Sequence, residues 1–217
     1  MEEKFRGDKR SAGSLYYPMA RIDREMPTQG FYQDSSEKGY PLGAVIHYTA
    51  SGSSLYDIDH GIKNNLCYWL IAEDGTVFQT APLNRWGWHA GPSSHPELGT
   101  SLSSKLLGIE VDCPGKLEWA GHAWRTWYGT FVREEEVNVV DGVGYKRFTW
   151  KQQHALERLL IWLKLNNPAA FNFDYVLGHS EITPRKSDPG GSLVMGIDIF
   201  RGHMKDLYKN ELKILGV

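Results

Sequence analysis

The sequence predicts an α/β domain, with a central mixed β-sheet flanked by α-helices. Three observations carry that expectation. Short apolar runs of strand character recur along the chain: GAVIHY (43–48), LLGIEVDC (106–113) and YVLG (175–178). Segments with apolar residues at helical spacing lie between them. The stretch CYWLIAEDGTVFQTAP reads as two apolar strands joined at Asp74-Gly75, a dipeptide that favours a tight hairpin turn. Strands alternating with helices place the sheet in the middle and the helices on its faces.

Taken in order, residues 1–14 (MEEKFRGDKRSAGS) are charged and rich in small residues, which predicts a flexible leader ahead of a single domain over 15–217. GAVIHY is the first buried strand, an apolar run broken only by His47. SGSSLYDIDHGIKNN follows, with serines able to cap and Leu55, Ile58 and Ile62 at helical spacing. After the hairpin, LLGIEVDC is a further buried strand broken by a single charge, Glu110. Residues 114–148 are a polar and aromatic excursion, expected as an insertion with a hairpin around Asp141-Gly142. The best helix begins at Thr149, where Thr149 and Gln152 form a capping-box pair, and Leu156, Leu159, Leu160 and Leu163 line one face. YVLG is the last strand, and a helix over roughly 197–212 closes the chain.

The bulk numbers narrow the function classes. A chain of 217 residues is most simply one domain with a substantial core. It is 41% apolar and 23% charged, with formal net charge −2, so nothing favours a nucleic-acid or membrane-surface partner. No stretch has the length needed to span a bilayer. The first residues lack the apolar core and cleavage pattern of a secretory signal, so synthesis in a cytoplasm is expected, with Cys67 and Cys113 reduced. A monomer is expected. The eight tryptophans and eleven tyrosines suit a carbohydrate surface as well as a core, so aromatic content alone decides nothing.

Chemistry concentrates at strand ends. His47 lies near the end of the first buried strand, Glu110 inside another, and His179 at the end of the last. GHSEITPRKSDPGG (178–191) then carries Lys186 and Asp188 through a segment whose prolines forbid long regular structure. Polar groups that interrupt apolar strands are expensive unless paired, protonated or bound to metal. Two histidines and a carboxylate are a catalytic zinc set that leaves a fourth position for water. Taken singly, His47 reads first as a satisfied core histidine, while the alternatives for Glu110 and Lys186 are a carboxylate neutralised by a lysine and a solvated loop residue.

The motifs VIHYTAS, DGTVFQ, WGWHAG, LGIEVD and GHSEITPRKSDPGG, in that order, resemble the zinc-dependent N-acetylmuramoyl-L-alanine amidases of the type 2 family, which share the peptidoglycan recognition protein fold and include phage endolysins. The resemblance runs from about Gly43 to Gly190, interrupted by the insertion. It implies hydrolysis of the amide between N-acetylmuramic acid and L-alanine in peptidoglycan or muropeptides. It implies Zn2+ held by His47, His179 and Asp188, with Lys186 supplying positive charge to an oxyanion. Glu110 matches a strand carboxylate that the intracellular recycling branch uses for proton transfer, and His89 lies where relatives line the substrate groove. The insertion and leader favour a phage lysin, released to the wall by a separate membrane-permeabilising (holin-type) protein. A cytoplasmic muropeptide-recycling amidase and a non-catalytic recognition module are the alternatives.

Two departures stand out. Where many relatives carry a catalytic tyrosine this chain has Cys67, and Tyr68, one residue on, would point to the opposite face of a strand. The loop between Pro184 and Lys186 is also one residue shorter than in many relatives. Trp119, Trp124, Trp127 and Tyr128 either grip glycan or pack the insertion onto the domain. His60, His95, His122, His154 and His203 read as surface residues, and Glu134-Glu135-Glu136 as a solvated strand edge.

Overall fold

A computed structural model describes residues 14–22, 24–32 and 39–216. The leader expectation lies outside the described residues except for Ser14, whose backbone exchanges hydrogen bonds of 3.0 and 2.7 Å with the Asn166 side chain. Among the described residues the main sheet has six strands: β1 (Ala20–Arg21), β2 (Gly43–Tyr48), β3 (Trp69–Ile71), β4 (Val77–Phe78), β5 (Leu106–Val111) and β6 (Val176–Gly178). Their spatial order is β1-β4-β3-β5-β2-β6. β3 and β4 form the antiparallel hairpin expected at Asp74-Gly75, and every other neighbouring pair is parallel, so the sheet is mixed.

One face of this sheet is the main core. Ala44 and Ile46 of β2, Leu107, Ile109 and Val111 of β5, and Val176 of β6 pack against two helices. The first is Trp150–Asn166, where the predicted capping box is present: Gln152 N–H donates to Thr149 Oγ1 at 3.2 Å and Thr149 N–H to Gln152 Oε1 at 2.9 Å. Leu156, Leu159, Leu160 and Leu163 are fully buried, each contributing roughly 1.5–3 kcal/mol by leaving water. The second is the closing helix, Ile197–Leu215, a little longer than expected, which inserts Phe200 and Met204. The opposite face carries smaller clusters, one around Val45, Leu106 and Leu177, another around Met26, Tyr68 and Leu70. His47 and Glu110 belong to this second face, since side chains alternate along a strand.

The helix Ser54–Lys63 forms where expected, capped by Ser53, but its buried face differs from the predicted one. Ile58 is buried together with Asp57 and Gly61, whereas Leu55 and Ile62 are exposed. Gly61 is the physical reason: a Cβ there would lie 2.6 Å from Met26 Cε and 3.0 Å from the Tyr68 hydroxyl. Absence of a side chain turns this face inward.

Two antiparallel pairs build the insertion, Glu118–Trp119 with Trp124–Arg125 and Val137–Val140 with Val143–Lys146. The second is the hairpin predicted at Asp141-Gly142, both with positive φ (51° and 78°), as a type I′ turn demands. It packs on the segment that follows Asp188: Asn138 Nδ2 donates to the Gly191 carbonyl at 2.9 Å, and a Cβ on Gly191 would approach the Tyr145 ring to 2.7 Å. Glu134–Glu136 is a 3-10 turn rather than a strand edge, with Glu136 drawn to Arg133 and Lys146 at 3.1 Å each.

Candidate metal centre

Three parallel strands bring the reactive side chains together at their C-terminal ends, where open α/β sheets commonly bind ligands. His47 of β2 is in register with Glu110 of β5, which is in register with Leu70 of β3. Paired residues of parallel strands project to the same side, so His47 and Glu110 sit side by side. β6 ends at Gly178, and His179 opens a single helical turn, His179–Ile182. Glu181 in that turn accepts a 2.6 Å bond from Gly178 N–H and is gripped by Arg201 of the closing helix at 3.0 Å. The proline-rich loop then returns, so that Ser180 N–H donates to the Asp188 carbonyl at 3.1 Å.

His47, His179 and Asp188 are all buried and converge as the one group of this kind among the described residues. His47 Nδ1 and His179 Nδ1 are 3.0 Å apart, and each lies 2.9 Å from Asp188 Oδ2. The remaining ring nitrogens assign the tautomers. His179 Nε2 faces the Ala90 carbonyl at 3.2 Å and must donate to it. His89 Nε2 likewise faces the Leu106 carbonyl at 3.0 Å, leaving His89 Nδ1 as acceptor for His47 Nε2–H at 3.0 Å. Both Nδ1 atoms of the pair therefore present lone pairs towards a carboxylate oxygen. Three acceptors within 3.0 Å repel one another unless a cation or an extra proton lies between them. The donor set fits a divalent metal with nitrogen and oxygen ligands.

The surrounding charges agree. Burial lowers the pKa of His47, against the raising influence of Asp188, and burial together with His47 lowers that of His89 well below its ordinary value. Both imidazoles are neutral at pH 7. Glu110 is pushed well up by burial, then by the Asp188 and Asp57 carboxylates, with Lys186 opposing. Its Oε2 is buried without a hydrogen-bond partner. The Lys186 side chain is exposed, yet its charge is felt by both His47 and Glu110.

Of the site residues expected from sequence, His47, His179 and Asp188 meet directly and Glu110 flanks them, whereas Lys186 lies on the loop with its side chain exposed. Both ring nitrogens of His89 are engaged, one by His47 and one by a backbone carbonyl. Regular strand begins only at Trp69, and Cys67 and Tyr68 both belong to one apolar cluster. Burial pushes the Cys67 thiol up to about 12, and the Tyr68 hydroxyl is spent on the Asp57 carbonyl. His60, His122 and His154 are exposed, whereas His203 is half-buried and pairs with Glu157 at 3.1 Å.

Sequence reasoning missed Gly108. A Cβ there would lie 2.5 Å from His89 Cγ, so the glycine makes the room that His89 occupies. Its signal was present, since glycine inside a strand marks close approach. Tyr48 and Ser187 were also missed, their hydroxyls 2.6 Å apart beside His47 and Asp188.

The sequence model of the N-acetylmuramoyl-L-alanine amidase family matches residues 37–191. No curated protein matches the chain. Among solved structures, a selenomethionine derivative of AmpD is similar over 85% of this chain and 94% of its own, with 20% identity and a TM-score of 0.51. AMPDH3 from Pseudomonas aeruginosa, crystallised in complex with anhydromuramic pentapeptide, is similar over 88% of this chain and 75% of its own, with 20% identity and a TM-score of 0.52. At such identities the likeness is one of fold. Among the described residues no helix is long and apolar enough to cross a membrane.

Proposed function

Since the chain belongs to the N-acetylmuramoyl-L-alanine amidase family, we propose that it hydrolyses the amide joining the lactyl group of N-acetylmuramic acid to L-alanine, with Zn2+ held by His47, His179 and Asp188. The observation that carries this reading is the convergence of two imidazole lone pairs and a carboxylate oxygen at separations of 2.9–3.0 Å. Bound there, zinc would act as a Lewis acid towards the amide carbonyl and make water a stronger nucleophile.

The chain's own groups divide the remaining work. The bonds of His47 to His89 and of His179 to the Ala90 carbonyl fix the tautomers that leave both Nδ1 atoms as ligands. Glu110, with one carboxylate oxygen unpartnered beside His47, takes a proton from the attacking water and returns it to the nitrogen of the leaving L-alanine. Lys186 adds positive charge where the carbonyl oxygen becomes negative. His89 acts by orienting His47 rather than by touching substrate. Water adds to the carbonyl, the C–N bond breaks, and the products are a lactyl carboxylate and a stem peptide with a free amino terminus.

The setting we propose is lysis of the wall by a phage-type enzyme acting on polymeric peptidoglycan as a monomer, supported by the aromatic insertion beside the site. Digestion of purified sacculi, with and without chelator, tests the whole reading. New L-alanine amino termini that vanish on chelation and return with zinc support it. Cleavage of soluble muropeptides with no action on sacculi would replace the lysin by a recycling amidase. Binding with no cleavage of either substrate would make it a recognition module.

A further inference from the structure

The loop that delivers Asp188 is held at three points by side chains outside the converging group. The first is Tyr48. It follows His47 in β2 and so points to the opposite face of the sheet, where it packs against the main core. Its hydroxyl meets Ser187 Oγ at 2.6 Å, while His47 Nδ1 lies 2.9 Å from Asp188 Oδ2. Two strand neighbours facing opposite ways thus grip two loop neighbours across the end of the strand. The second point is Asn138 of the insertion, whose Nδ2 donates to the Gly191 carbonyl at 2.9 Å. The third is Tyr145, the register partner of Asn138 in the same hairpin. Its ring lies on the backbone that follows Pro189: a Cβ on Gly190 would come within 2.6 Å of it, and one on Gly191 within 2.7 Å. We propose that the insertion is a brace for the metal centre, in which Tyr48, Asn138 and Tyr145 are positioning residues that hold Asp188 in place before any metal arrives.

The need for a brace follows from what the loop lacks. Residues 183–189 form neither helix nor strand, and Pro184 and Pro189 have no N–H to donate. Yet the Asp188 carboxylate must stand 2.9 Å from two ring nitrogens that present lone pairs to it. In a metal-free chain an unsupported loop would carry Asp188 away from them. Metal binding would then bear the entropy of ordering the loop. Ties to elements that fold without the metal remove that cost. The insertion is itself anchored at its base, where Lys146 N–H donates to the Gly115 carbonyl and Leu117 N–H to the Gly144 carbonyl, at 2.8 Å each. Gly115 also leaves the room that the Tyr48 ring fills, since a Cβ there would overlap the ring. Tyr48 and the hairpin therefore belong to one packed unit.

The inference rests on the proposed zinc reading for the identity of the metal, but the brace itself is measured without metal. Amide hydrogen exchange in the metal-free full chain is read at Ser180 and Ser192, which donate to the Asp188 and Pro189 carbonyls at 3.1 and 3.0 Å. Zinc affinity is measured beside it by competition with a chelator. Tyr48→Phe and Asn138→Ala each remove one hydrogen bond. Both are expected to speed exchange at these amides about fivefold and to weaken zinc binding roughly tenfold. Tyr145→Phe keeps the ring and is expected to match the wild type in both measurements. Leu163→Val, which loosens the core on the helix Trp150–Asn166, is expected to lower the melting temperature and leave both measurements unchanged.

Wild-type exchange and zinc affinity in Tyr48→Phe and Asn138→Ala would overturn the brace, as would a wild-type loop that gains protection only when zinc is added. Equal losses in Leu163→Val would also overturn it, by assigning the effect to overall stability. Loop protection that depends on Tyr48 and Asn138 in a chain that binds no zinc would leave the brace standing and remove the zinc reading. Zinc-dependent amide cleavage with a loop indifferent to both residues would do the reverse.

Discussion

His47 Nε2 lies 3.0 Å from His89 Nδ1, and His89 is itself anchored to the Leu106 carbonyl at 3.0 Å. This relay decides which nitrogen of His47 is left for the centre. Without His89 the imidazole of His47 is free to turn or to carry its proton on Nδ1, where it no longer serves as a ligand. His89→Ala is therefore expected to weaken zinc affinity by roughly 10–100-fold. Competition with a chromogenic chelator measures it, and an unchanged dissociation constant would remove His89 from the positioning role.

Glu110 separates metal binding from turnover. The carboxylate lies beside the proposed ligands but is not one of the converging group, so Glu110→Gln is expected to keep its zinc. Loss of a general base lowers kcat by about 10²–10⁴-fold. The pH dependence has a definite sign. A base must be ionised, and burial first, then the Asp188 and Asp57 carboxylates, raise the pKa of Glu110. Wild-type activity should fall as pH is lowered through that raised value, while the residual rate of the glutamine variant should lack this limb. A variant with near-normal kcat would transfer the base role to another group.

Asp57 offers a test of the fold beneath the site. Burial, with a smaller contribution from Asp112, raises its pKa from 3.8 to about 6 despite hydrogen bonds from Ser51 at 2.7 and 2.8 Å. A carboxyl whose folded pKa exceeds its unfolded one favours folding when protonated. Its contribution therefore declines as pH rises from about 4 to about 6 and stays low above that window. Asp57→Asn should stabilise the protein at pH 7, by at most about 3 kcal/mol, and give no advantage below pH 4 or so. Thermal melts across that range check it. A gain that persists at the lowest pH would assign the effect to packing instead of charge.

What could be read from the sequence was whatever announces itself along one stretch of chain. His47 and Glu110 were visible because each interrupts an apolar strand, Thr149 because its capping partner is three residues away, and the Asp74-Gly75 turn because glycine there has φ +86°. The loop from Gly178 to Gly191 was legible as a site because its prolines exclude simpler structure. Features that depend on distant elements meeting were not. The inward face of helix Ser54–Lys63 is chosen by Gly61 closing on Met26, and His89 binds His47 across 42 residues of sequence.

Gly108 turns this last kind of information into a measurement. It sits in the middle of β5, where glycine weakens a strand by offering no side chain and more unfolded-state freedom. Alanine would ordinarily stabilise such a position. Here its Cβ would stand 2.5 Å from Cγ and 2.9 Å from Nδ1 of His89, distances that force the ring to move. The ring is pinned on both sides, by His47 and by Leu106, so moving it breaks at least one of those bonds. Gly108→Ala is thus expected to cost about 1–3 kcal/mol of stability through overpacking and also to weaken zinc binding, although residue 108 touches no proposed ligand. In the His89→Ala background the clash is gone, and the same substitution should become neutral or stabilising. A double-mutant cycle on melting temperature and zinc affinity reads both effects. Additive effects in that cycle would mean that the glycine is needed for some reason other than the imidazole it faces.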